Sequence, residues 1–526
     1  MMIRLNNCWG GKMTRSVKLD GNTITISEVI AVASGKAKLE LSKDAWNRVI
    51  NARKVVDSVL ESGDVVYGIN TGFGSLVDTL IDDDQLHELQ LNLIRSHATG
   101  LGEPMEHLAV KVMMVARINS FAKGYSGVTP NVVQQLIDFV NMNVTPYIPR
   151  IGSLGASGDL APLSHMALAL IGEGNIIDDE YKLVDTKAVL VEKGLIPVEL
   201  EAKDGLSLIN GTSQMLSYSI LSLNVLSNLL PMADIIYAIS LEAYCGSVVP
   251  LDSRVHDARP HPGQLIVSQR MREIIAESEI CNSTNTYHRV QDPYSFRCAP
   301  QVHGAVYQSF MSMQNTIQTE LNSATDNPLV FPDSTDINTI LSQGNFHGEI
   351  LALSADSVSL ALFELGSISE RRMDQLLDPK KSNLPPFLAK NSGLESGLMI
   401  VQYSAGSALA ELHGHASPRS SFSTSTSAGQ EDHVSMGATA CWNLYQATLR
   451  LSEVLACELL IAAEALSYHD KKHSPVVKSL VKLVRNIAPE LTADRSTSME
   501  LTTIAEQLRN GAWLARVEAE NSKLTR

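Results

Sequence analysis

Much of this chain repeats its apolar side chains at the three- and four-residue spacing of helices, and little of it alternates at the two-residue period of strands. The pattern predicts helices over 45–62 and from Asp82-Asp83-Asp84, acids suited to a positive helix start, to Arg95 with a stop at Gly100. Two more follow, at Leu108–Lys123 and Asn131–Met142. Beyond Leu206 the helices lengthen: Leu206–Tyr244, Gln301–Ser323, Leu351–Met373 and Val434–Tyr468. In the last, Leu444, Ala447, Leu451, Val454 and Leu455 keep a helical spacing, and no proline interrupts before Lys472. Helices of this length imply an elongated bundle. Strand patterns are minor: Val17–Leu19 and Thr23–Ile26 around Asp20-Gly21-Asn22 read as a hairpin, and Ile176–Val184 as a second. The expected fold is mainly α, with a smaller mixed region over 1–205 and the long helical bundle over 206–526. The boundary is a shift of composition without a linker, so the two parts are not expected to move as independent domains.

Composition narrows the class. A chain of 526 residues supports two or three packed subregions, and scarce aromatics beside plentiful Leu, Ala, Ser and Met favour helix over sheet. A net charge of -15 disfavours nucleic acid and anionic membranes as partners. The 6 cysteines are scattered without a paired spacing, which fits a reducing cytoplasm. The first sixteen residues lack the apolar run of a secretory signal. Gly205 to Ala233 carries no charge and is long enough to span a bilayer, but Asn210, Gln214, Asn224, Asn228 and Pro231 argue for a helix buried in protein.

The chemistry centres on Gly152-Ser153-Leu154-Gly155-Ala156-Ser157-Gly158-Asp159-Leu160. Without a Cβ, Gly158 lets its amide nitrogen approach the carbonyl carbon of Ala156, and Gly155 frees the other side. Attack with loss of water closes a five-membered imidazolone; loss of the Ser157 hydroxyl leaves an exocyclic methylidene, an electrophile that no ordinary side chain supplies. Read alone, the same loop is a helix start with Pro162 in the first turn. The longer string through Leu160-Ala161-Pro162-Leu163-Ser164-His165-Met166-Ala167 resembles the signature of the histidine and aromatic amino-acid ammonia-lyases, whose prosthetic group is 4-methylideneimidazol-5-one (MIO) formed from Ala-Ser-Gly.

Further strings match that family in its order. In Val65-Val66-Tyr67-Gly68-Ile69-Asn70-Thr71-Gly72-Phe73-Gly74 the resemblance makes Tyr67 the base that removes the substrate's β-proton. A phenol titrates near about 10, so dipoles or cations must tune it. Leu208-Ile209-Asn210-Gly211-Thr212 resembles the segment whose asparagine bonds the prosthetic group; an amide inside so apolar a helix is costly unless paired. In Arg289 to Val302, the resemblance gives Arg297 the substrate carboxylate, a bidentate task suited to guanidinium, with Gln291 and Tyr294 lining the site. Histidine-type members usually carry Leu, Gln and Met where this chain has Phe296, Ala299 and His303, which touches loop packing more than the polar anchors. Asn322 to Leu329 and Gln343 to Gly348 also match, with Phe346 near the prosthetic ring.

Substrate choice rests on two places. Ser96-His97 stands where tyrosine-preferring relatives carry His-Leu, and Gln430-Glu431 where phenylalanine and tyrosine enzymes carry Gln-Asn or Gln-Gln. A carboxylate and an imidazole complement an imidazole substrate and are left unpaired by a phenyl ring. Glu431-Asp432 also reads as a cap for the helix that follows, a role compatible with the first. The resemblance thus implies L-histidine converted to trans-urocanate and ammonia by a fumarase/aspartase-like helical fold, in a homotetramer whose active sites mix residues from three subunits. Rival readings are a tyrosine or phenylalanine lyase or aminomutase of the same family, a fumarase-type lyase, whose Gly-Ser-Ser loop is missing, and an inactive helical scaffold. No dissociable cofactor is expected. No metal is expected either: the histidines around His256 and His261, His413 and His415, and His469 and His473 lack zinc spacing.

Overall fold

The computed structural model describes residues 15–62, 64–72, 81–282, 290–333, 339–521 and 524. Phe73, Gly74, Arg289 and the basic N-terminal stretch before residue 15 lie outside the described residues. Among the described residues there are twenty α-helices and four sheets of two strands each, so the fold is mainly α.

The expected helices are present, with ends shifted by a few residues: Lys43–Ser62, Leu86–His97, His107–Ala122, Pro130–Asn141, Ala299–Leu321, Glu349–Leu377 and Gly437–Leu466. The hairpin at Ile176–Val184 forms as Asn175–Ile177 against Leu183–Asp185, antiparallel. The first expected hairpin does not form. Ser16–Leu19 pairs in parallel with Lys38–Leu41, and the intervening residues make the helix Ile26–Ala33. Two local signals explain the difference. Asp20 turns the chain by accepting from the amides of Asn22 and Thr23, and Thr25 with Glu28 forms a reciprocal capping box that starts a helix where β-branched residues had suggested a strand.

A second correction concerns Leu206–Tyr244. It is two helices, Asp204–Ile209 and Ser213–Tyr244, broken at Asn210-Gly211-Thr212. Gly211 sits at φ +144, and a Cβ there would lie 2.3 Å from the Arg117 guanidinium and 2.5 Å from the Thr325 carbonyl oxygen. Ser213–Tyr244 and Glu349–Leu377 are both long and apolar enough to cross a membrane, but 78% of the most apolar window of the first is buried within the protein.

The residues cluster into two compact units, each assembled from several stretches of chain. One takes the residues up to Ile220 with Ile317–Ala352 and Phe422–Thr439. Its helix His107–Ala122 is buried from Ala109 onward, and Ala52, Val56, Ile69, Leu86, Ala202 and Val330 form an apolar cluster. The other takes Leu221–Thr316, Leu353–Ser421 and the residues from Ala440 onward. Its centre is ionic. Arg372 makes a two-pronged bond to Glu458, at 2.5 and 2.8 Å, and Glu458 also accepts from Ser240 at 2.7 Å and Ser369 at 2.5 Å. Beside it Asp234 accepts from Arg270 and from the His303 ring, each at 2.7 Å. The side chains of Arg372 and Glu458 are wholly buried, so removing one charge strands the other in a medium that solvates it poorly. Glu458→Gln is expected to lower unfolding free energy by about 3–5 kcal/mol in denaturant titrations, and an unchanged midpoint would refute this account.

Candidate active site

The Ala156-Ser157-Gly158 loop leads into the helix Leu160–Leu170, and its backbone is laid against the break at Asn210-Gly211. Gly158 and Gly211 pair as a parallel bridge, and the Asp159 amide donates to the Gly211 carbonyl at 2.7 Å. Helical carbonyls are already committed to their own ladder, so this pairing requires the helix to stop there. Gly158 has φ +82, and a Cβ on it would lie 2.3 Å from both the nitrogen and the oxygen of Gly211. Two residues without side chains are thus what lets the two backbones meet.

Asp159 ties the arrangement together. Its Oδ2 accepts from the amides of Gln214 at 2.7 Å and Met215 at 3.1 Å, at the start of Ser213–Tyr244, and its Oδ1 accepts from Ser153 at 2.7 Å. Burial pushes its carboxyl up to about 6 against these donors and the nearby Arg117 charge, all of which pull it down. The helix that looked continuous is therefore capped at its restart by a residue more than fifty positions earlier. Asp159 and Ser153 lay within the motif without an assigned role. A carboxylate between a glycine loop and a helix was the available signal.

On its other side the loop is gripped by two more segments. The amide of Gly348 donates to the Gly155 carbonyl at 3.1 Å, the Ser435 hydroxyl to the same oxygen at 2.9 Å, and the Met436 amide to the Leu154 carbonyl at 2.9 Å. Val434 and Met436 pack on Ala156 and Leu154 as a small apolar cluster. These segments also carry Phe346, half-buried, and Glu431.

Glu431 is not a helix cap, because the next helix begins only at Gly437. Residues 426 and 431 instead pair through their backbones, and the Glu431 carboxylate accepts from the Ser157 hydroxyl at 2.8 Å and the Thr426 hydroxyl at 3.0 Å. His97 ends the helix Leu86–His97. Its Nδ1 lies 2.8 Å from the Leu93 carbonyl, which can only accept, so Nδ1 carries the proton and Nε2 keeps its lone pair. Burial lowers the His97 pKa, and the bond to the Leu93 carbonyl and then the field of Glu431 pull it part of the way back. That helix is anchored by Gln90, whose side-chain oxygen accepts from the Gly205 amide at 2.8 Å.

Asn210 ends the helix Asp204–Ile209 instead of lying inside one. Its side-chain oxygen is buried with no hydrogen-bond partner, an orphan that burial penalises. Half-buried Tyr67 lies in a turn fixed by Asn70, which accepts from the Val66 amide at 2.9 Å and donates to the Asp64 carbonyl at 2.8 Å. The next residue, Gly68, packs so closely on Leu206 and Pro328 that a Cβ would lie 2.8 Å from each. One unit therefore holds Tyr67, His97, Ala156, Ser157, Gly158, Asn210, Phe346 and Glu431.

Gln291, Tyr294 and Arg297 belong to the other unit. There Arg297 stacks on Tyr294 at 4.5 Å from the ring centroid, one turn of the short helix Tyr294–Arg297, and its Nε is buried without a partner. Gln291 and Tyr294 are exposed. The departure at Phe296 is a packing choice: its ring stacks on Tyr244 at 4.3 Å. His256 and His415 are held by Pro250 and Asn443. One group of possible metal ligands occurs among the described residues, His347, Glu349 and His433.

The family model for aromatic amino acid lyase matches residues 24–486. A histidine ammonia-lyase of Myxococcus xanthus is 42% identical over 96% of this chain and 98% of its own length. Among solved structures, a histidine ammonia-lyase from Trypanosoma cruzi superposes with a TM-score of 0.89 at 38% identity, covering 96% of this chain and 95% of that one. A tyrosine aminomutase from Streptomyces globisporus gives 0.91 at 34% identity, covering 96% and 99%. Likeness of this extent establishes that the chain belongs to the aromatic amino acid lyase family.

Proposed function

We propose that the chain is a carbon–nitrogen lyase that eliminates ammonia from L-histidine to give trans-urocanate. The observation that carries the substrate is Glu431: a half-buried carboxylate on the Ser157 hydroxyl, with the neutral ring of His97 in its field. The carboxylate accepts the single N–H of a neutral imidazole, and a protonated imidazole has a second N–H for the free Nε2 of His97. A phenyl or phenol ring leaves one or both without a partner.

The loop fits the ring-forming tripeptide. Gly158 has the positive φ and bare Cα that a close backbone approach needs, and the buried orphan oxygen of Asn210 awaits a donor or an ordered water beside the Gly158–Gly211 pairing. Ala156, Ser157 and Gly158 would form the MIO group, and Asn210 would hold it. When formed, that group would supply an electrophilic carbon, chemistry that turns the substrate's amine into a better leaving group. The remaining work falls to side chains. Tyr67 takes the β-proton as general base. Arg297, preorganised by its stacking on Tyr294, takes the carboxylate, with Gln291 and Tyr294 as polar neighbours and Phe346 as an apolar wall.

We further assign the chain to a cytoplasmic homotetramer with active sites shared between subunits. The exposed apolar side chains Leu353 and Leu360 on Glu349–Leu377, and Ile400 and Tyr403 on Met399–His415, support this reading as surface that further copies would cover. The test is absorbance of urocanate, coumarate and cinnamate with the full chain on L-histidine, L-tyrosine and L-phenylalanine. Urocanate is expected to dominate, and faster coumarate or cinnamate, or β-amino acid products, would overturn the reading. Glu431→Gln is expected to lower kcat/KM on histidine by about 10- to 100-fold while leaving the fold intact. An unchanged preference removes Glu431 from specificity.

A further inference from the structure

We propose that His347, Glu349 and His433 form a binding site for one divalent cation of the zinc class, with a fourth position left to water. The three offer one ligand atom each, all within 4.8 Å of one another, although the two histidines are eighty-six positions apart. Separate observations point to a cation. One is that Oε2 of Glu349 is buried with no hydrogen-bond partner, an anionic oxygen that burial disfavours until something positive meets it. Another is the proton on His347. Its Nε2 lies 3.2 Å from the His433 carbonyl, which can only accept, so Nε2 carries the hydrogen and Nδ1 keeps the lone pair. Metal-bound histidines are typically held this way, the second nitrogen donating to a carbonyl.

The ligand set chooses the ion. Two imidazoles and one carboxylate suit zinc and its neighbours, whereas magnesium and calcium favour oxygen throughout. Around zinc, ligand atoms at about 2.0–2.2 Å from the metal stand roughly 3.3–3.6 Å apart, so closing from 4.8 Å needs side-chain shifts of about 1 Å. His347 and Glu349 are half-buried and His433 is exposed, so rotamers can supply that movement and the ion can exchange with solvent.

The place gives the site a consequence. His347 precedes Gly348, whose amide holds the Gly155 carbonyl, and His433 precedes Val434-Ser435-Met436, which hold Leu154 and Gly155 from the same side. A bound cation would pin these two segments to each other and stiffen the grip on the Ala156-Ser157-Gly158 loop.

The experiment is calorimetric titration of the full chain, stripped by chelator, with zinc chloride and separately with magnesium chloride, in the absence of amino acid. One equivalent of zinc per chain is expected, with a raised thermal midpoint and no magnesium uptake. Glu349→Gln and His433→Asn are each expected to weaken zinc by about tenfold or more. His433 is exposed, so its variant should keep the wild-type circular dichroism and separates loss of a ligand from loss of fold. No saturable zinc uptake, or both variants binding as tightly as wild type, would overturn the proposal. The readout counts ions without substrate, so its failure is distinct from failure of the histidine reading.

Discussion

Ser157→Ala is expected to lower kcat on L-histidine by about 10³-fold or more, because the methylidene carbon of the electrophile derives from the Cβ that loses the Ser157 hydroxyl. The structural cost should be small. Before cyclisation the hydroxyl makes one partly buried bond, to Glu431 at 2.8 Å, and Thr426 satisfies the other carboxylate oxygen, so its deletion should cost the uncyclised chain no more than about 1 kcal/mol. Intact-mass measurement gives the independent arm: the wild-type chain should weigh less than its translation by the mass of two waters, and the variant should lack the second loss. Turnover like that of wild type from Ser157→Ala, or a full-mass wild-type chain that still deaminates histidine, would remove the loop from the chemistry.

Gly158→Ala should fail in a different way, through backbone geometry. Its Cβ would fall 2.3 Å from the nitrogen and oxygen of Gly211, and these are backbone atoms that no side-chain rotation can clear. The residue also sits at φ +82, where an L side chain is strained. Expected results are a loss of about 3 kcal/mol or more in unfolding free energy, a chain of unmodified mass, and no measurable turnover. Gly194→Ala separates the two causes. Gly194 has φ +69 with nothing within 4 Å of the built Cβ, so it should report the backbone strain alone, about 1–2 kcal/mol. If the two substitutions cost the same, contact with Gly211 is not what the loop depends on.

Local chemistry fixed much of this protein before any contact was known. Uninterrupted 3.6-residue periodicity announced the long helices, because burying an apolar face is a demand that repeats every turn, and Gly437–Leu466 and Glu349–Leu377 formed within a few residues of expectation. The reactive tripeptide was equally legible, since cyclisation needs neighbouring residues and a missing Cβ, both properties of sequence. The error at Thr23–Ile26 was also local: propensity for strand was outweighed by the Thr25–Glu28 capping box.

What the sequence could not contain was anything set by groups far apart along the chain. An apolar run from Leu206 to Tyr244 reads as one helix until Gly158 arrives from fifty residues away, pairs with Gly211 and brings Asp159 to cap the restart. Glu431 reads as a helix cap until its carboxylate is found on Ser157, 274 positions earlier. The His347, Glu349 and His433 group has no spacing to detect, because its members meet only when two segments close on the same loop. Periodicity and steric freedom are properties of neighbours in the chain, and so were readable from it; hydrogen bonds and fields act between neighbours in space, and only the folded structure decided those.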